Sequence, residues 1–110
     1  MIVSDDTVSK ALAYLAEDPH PIALARKELT DAENEKDRIY AEAYAEANQG
    51  SIRDREMACE RRAEVIEARK QMANALREVE RHKARTNAAG MVIEVWRSEN
   101  ANARAAERVR

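Results

Sequence analysis

"EANQGSIRDREMACERR", residues 46–62, interrupts a chain that otherwise runs in long helical patterns. Asn48-Gln49-Gly50-Ser51 places a helix stop directly against a helix start. Gly50 has no Cβ and is free to take the left-handed conformation that closes a helix C-terminus. Ser51, with Asp54 three residues later, resembles a capping box that opens the next helix. The stretch therefore predicts a tight helical hairpin, with a first arm over 22–48 and a second over 52–97.

Working outward, the first arm carries a broken apolar stripe of Ile22, Ala25, Leu29, Ala32, Ile39, Ala43 and Ala47, with Asp, Glu and Lys on its outer face. The second arm repeats every seven residues. Ala58, Val65, Met72, Val79, Thr86 and Ile93 are seven apart, and Arg61, Ala68, Ala75, His82, Ala89 and Trp96 follow each by three. This is a coiled-coil seam, which Ile66 and Leu76 are expected to widen. At about 1.5 Å per residue the second arm spans roughly 65 to 70 Å against about 40 Å for the first. One arm cannot cover the other.

Two further segments complete the pattern. Ser4, Asp5 and Asp6 cap a short helix over 4–17 whose Val8, Ala11, Leu12 and Leu15 share a face. Asp18-Pro19-His20-Pro21 ends it in a rigid elbow, so this helix can swing back over the far end of the second arm near Val92 and Trp96. Gly90 inside the second arm is a candidate pause. The tail over 101–110 lacks an apolar period and is expected to fray.

Composition sets the scale of the core. Among 110 residues there is no Phe and one Trp, while 36% are charged. Long exposed helices of this kind bury one narrow stripe each and usually need partners to do it. The fold class read from the sequence is all-α, a single oligomeric helical domain over 1–100, with copies meeting through Val65, Met72, Val79, Ile93 and Trp96. No apolar run is long enough for a membrane span, and no signal peptide opens the chain, so a soluble cytoplasmic protein without membrane partners is expected. Cys59 stands alone, as suits a reducing compartment.

The net charge of -2 conceals an asymmetry: residues 1–50 hold 5 Lys or Arg against 11 Asp or Glu, and residues 51–110 hold 14 against 10. Such a split either steers a polyanion to the basic half or lets acidic and basic halves pair within and between subunits. Arg77, Arg81 and Arg85, four apart, form a stripe suited to successive phosphates, with Lys83 beside it; a solvated face with intrahelical pairs fits the same residues. Trp96 before Arg97 suits base stacking with phosphate neutralisation, yet a lone Trp at heptad spacing is more often core. Tyr40 and Tyr44, near Lys36 and Arg38, allow the same two readings.

Catalysis finds little to build on. His20 lies between prolines, and His82 has Glu78 four residues before it, whereas bundle metal sites space Glu and His by three and use the pair twice. No phosphate loop or nucleophile set is present. No enzyme activity, metal or cofactor is expected.

Tyr40 and Tyr44 before Glu46-Ala47, the turn Gly50-Ser51-Ile52 followed by "RDRE", the long Ala- and Arg-rich second arm, and Met91-Val92-Ile93-Glu94-Val95-Trp96-Arg97-Ser98 together resemble phage recombination mediators of the UvsY type, over roughly residues 24–100. That resemblance implies a helical hairpin protomer that assembles into a ring or barrel in a phage-infected or prophage-bearing bacterial host. It also implies single-stranded DNA binding in aid of a recombinase or annealing protein that displaces a single-strand-binding protein. Family contacts would fall on Lys36, Arg38, Arg81, Lys83, Arg85 and Arg97. Glu35 and Asp37 flank the first basic pair, which departs from that pattern. The competing class is a structural or regulatory coiled-coil protein, for phage assembly or host-factor binding, without nucleic acid.

Overall fold

The computed structural model describes residues 3–109, with side chains through Arg108, and is all-α. Four helices follow in order: α1 (Asp5–Leu15), α2 (Pro21–Glu46), α3 (Ile52–Glu60) and α4 (Ala63–Val109). The chain divides into two compact units, Ala23–Glu80 and the pair of segments Met1–Ile22 and Arg81–Arg110.

The expected hairpin forms the Ala23–Glu80 unit. Gly50 has φ of 91°, and a Cβ added there would come within 2.8 Å of Asp54, so both backbone and space call for glycine. The capping box is complete: Asp54 N–H donates to Ser51 Oγ at 3.2 Å, and Ser51 N–H donates to Asp54 Oδ2 at 3.1 Å. Arg55 supplies a cap that the pattern did not announce. Its guanidinium donates to the carbonyls of Ala47, at 2.5 Å, and Tyr44, at 3.1 Å, satisfying acceptors that the end of α2 leaves open.

The second arm is not one helix. It breaks at Arg61-Arg62, where Arg61 closes α3 and Arg62 pairs with Glu46 and Glu64. The break shifts the seam by one residue. Cys59, fully buried, takes the inward place that the heptad assigns to Ala58, which is exposed along with Arg61. Six residues instead of seven then separate Cys59 from Val65, and both join Ala43 in a core flanked by Ile39, Tyr40, Tyr44 and Ala47. From Val65 onward the heptad holds within this unit, with Val65, Ala68 and Val79 buried and Met72 and Ala75 half-buried. Ile66 and Leu76 do not widen it. Each lies about 100° of helix rotation past a seam residue and is about half exposed.

In the other unit α1 packs on α4. Ser4 Oγ accepts from Thr7 N–H at 3.2 Å to cap α1, and Ala11, Tyr14 and Ala89 form a core with Leu15, Val92 and Ile93. The swing of the short helix onto the region of Val92 is thus observed. Tyr14 occupies the place expected of Leu12, which is 51% exposed. Gly90 causes no break, and the helix continues to Val109 instead of fraying from residue 101; Arg110 lies outside the described residues. Six Ala and Arg residues among 101–108 explain the persistence, since both are strong helix formers.

Two substitutions gauge these cores. Val65→Ala should lower the urea-unfolding free energy by about 2 kcal/mol, as expected for removing two buried methyl groups. Tyr14→Ala should cost about 3 kcal/mol, whereas Tyr14→Phe, which keeps the ring, should cost under about 1 kcal/mol.

Candidate nucleic-acid interface

Tertiary structure sorts the basic side chains by what already holds them. Within the Ala23–Glu80 unit, Arg38 is clamped by Glu35 and by Glu42, the latter at 2.7 Å. The hydrogen bonds that Arg38 donates to both carboxylates raise its pKa, and its contact with Glu35 lowers that of Glu35. Lys36 Nζ lies 3.6 Å from Asp37 Oδ1. The first-arm pair is therefore neutralised locally by acids one to four residues away. Arg77 donates to Asn74 Oδ1 at 3.4 Å. Tyr40 and Tyr44 stack with ring centroids 6.5 Å apart and pack on the Ala43 core, so the packing reading holds for both.

In the unit formed by α1 and residues 81–110, Lys10 pairs with Asp6 at 3.1 Å, whereas Arg85 meets a neutral group. Arg85 lies over the Tyr14 ring at 4.1 Å. Arg81 Nη2 is 3.3 Å from His82 Nε2, and the Tyr14 hydroxyl is 3.4 Å from His82 Nδ1, His82 O and Thr86 Oγ1. His20 meets the same ring edge-on at 4.8 Å. Both histidines of the chain therefore pack on one buried tyrosine, a shared role that their separation in sequence conceals. Arg81 and Lys83 are exposed.

Trp96 is half-buried and, with Arg97, Asn100, Ala103, Arg104 and Glu107, lines a recess of about 550 Å³ along the end of α4. Neither Arg85, Arg97 nor Arg104 has a carboxylate partner among the described residues. Arg104 lies beyond the expected end of the helix, which is why the sequence did not bring it forward; its seven-residue spacing from Arg97 was the available signal. Of Val65, Met72, Val79, Ile93 and Trp96, the expected meeting surface between copies, Val65 and Val79 are buried within a single chain, and the other three are half-buried.

Among the described residues no three His, Cys, Asp or Glu side chains converge on one point, and no helix is long and apolar enough to cross a membrane. The Arg38 clamp has a pH signature. A carboxyl whose folded-state pKa is lowered adds stability above its ordinary value of 4.5, and that contribution is lost as pH falls through the lowered value. NMR titration should place the Glu35 midpoint below 4.5 in the native chain, returning toward 4.5 in Arg38→Ala. No protein-family model, curated protein or solved structure matches the chain.

Proposed function

We propose that the chain is a non-enzymatic protein that binds single-stranded DNA as several copies together, acting as a recombination mediator that assists a recombinase or annealing protein. One observation carries the reading: Arg85 rests on Tyr14 and Arg97 adjoins Trp96, with neither guanidinium paired to a carboxylate among the described residues. A guanidinium held against a ring is fixed in place yet keeps its full charge and outward N–H groups for phosphate. Next to Arg97, the half-buried Trp96 indole offers a stacking surface that tolerates any base.

A protomer offering so few phosphate contacts binds weakly alone. Copies held together raise the effective concentration of each later contact along one flexible strand. A structural or regulatory coiled-coil role is the second reading, and the pairing of Lys10, Lys27, Arg38 and Arg62 with neighbouring acids supports it, because those cations only solubilise and brace helices.

Fluorescence anisotropy of a labelled oligonucleotide across a salt series separates the two. Arg85→Ala with Arg97→Ala should weaken binding and reduce the log-log salt slope by about 1.4, roughly 0.7 for each single-strand phosphate that is no longer neutralised, with helicity by circular dichroism unchanged. Absence of binding at low salt would leave the coiled-coil role standing.

A further inference from the structure

The hairpin unit carries a groove that its own chain leaves open. Ala32 and Ile39 of α2 and Ala68 of α4 form an apolar floor, and Glu35 and Glu67 stand along its edges around a recess of about 360 Å³. A second recess sharing Ala32 extends it to Glu28. Glu28 has no partner among the described residues, Glu67 accepts from Gln71 at 2.8 Å, and Glu35 is engaged by Arg38. The groove is greasy at its base and negative at its rim. Its natural occupant is a helix with small apolar residues on one face and cations beside them.

Such a helix face exists in this chain. Arg97, Ala101, Arg104, Ala105 and Arg108 fall at helical spacing on one side of the last three turns of α4. All five are exposed, as is every residue from 101 to 108, so no described part of the same chain covers this end. The dimensions match: Arg97 to Arg108 and Glu28 to Ile39 each advance eleven residues, about 16 Å along a helix. Alanine on both surfaces permits close approach of the backbones.

We infer that the C-terminal turns of α4 from one copy dock into the acid-rimmed α2/α4 groove of a second copy, Arg104 and Arg108 meeting the carboxylates of the rim. The contact joins two different surfaces, so it propagates head to tail and produces a closed ring where the rotation closes and a filament where it does not. Three turns of helix bury a small area, which makes each contact weak and sensitive to salt. This rests on the oligomeric half of the reading above and not on nucleic-acid binding.

Charge reversal tests it on the full chain, by light scattering at low salt without oligonucleotide. Wild type should exceed the protomer mass about twofold or more and revert to it at high salt. Arg104→Glu/Arg108→Glu and Glu28→Lys/Glu67→Lys should each remain protomeric, and mixing the two variants should restore the larger mass by re-pairing reversed tail with reversed groove. A protomeric wild type, an unchanged mass in either variant, or a mixture that fails to assemble would overturn the inference. Loss of mass in the groove variant alone would assign the groove to another occupant and overturn it equally. Should a reversal disturb helicity, Ala32→Cys mixed with Ala101→Cys provides the second measurement: an intermolecular disulfide is expected, and its absence would count against docking. The Glu28→Lys/Glu67→Lys variant alters no proposed strand contact. Assembly failing while strand binding persists would remove this inference together with the several-copies part of the reading and leave strand contact standing; strand binding failing while assembly persists would remove only the mediator reading.

Discussion

A single stripe of side chains on α4 carries most of the packing in this protein. Its heptad positions from Val65 to Trp96 are the ones withdrawn from solvent, and in each unit a different helix of the same chain is laid on them: α2 with α3 in one, α1 in the other. With no Phe and few large apolar residues, the cores are built of Ala, Val, Cys and Tyr. Small side chains let helix axes approach closely, but each contributes little transfer energy, so length substitutes for bulk. Caps matter correspondingly more. Ser4, Ser51 with Asp54, and Arg55 each satisfy backbone groups at ends where few hydrophobic contacts would hold the turn.

Helical spacing governs the charges as well. Where helices bear acids three or four residues from a cation, as at Arg38, the pair closes on itself and contributes little to any external partner. Where an arginine rests on a ring, as Arg85 does on Tyr14, or has no carboxylate within ion-pair distance among the described residues, as at Arg97, the charge stays available. On the proposed reading any polyanion contact falls on the late part of α4, whereas Lys36 and Arg38 are paired with neighbouring acids. This division also leaves the acidic rim of the α2/α4 groove as a second open surface, of opposite sign.

Much of the fold was legible in the order of residues alone. Gly50 and the Ser51-Asp54 box marked the hairpin, the prolines marked the end of the first helix, and a seven-residue period marked the inward face of α4, because backbone sterics, capping and helical periodicity act over a few residues and leave a local signature. The fate of Tyr14 was not legible. Nothing in the pattern of the short helix singles it out, and only the arrival of His82, Thr86 and Arg85 from about seventy residues away makes it a hub.

Sequence by itself determined that the chain is helical, where α1, α2 and α3 start, and which face of the long helix is apolar, since each depends on neighbours within one or two turns. Only tertiary structure decided the break at Arg61-Arg62, the substitution of Cys59 for Ala58 in the core, and which arginines remain without a carboxylate. Those outcomes depend on side chains brought together across helices, where the geometry of close packing and the distance to a particular Glu outweigh local propensity.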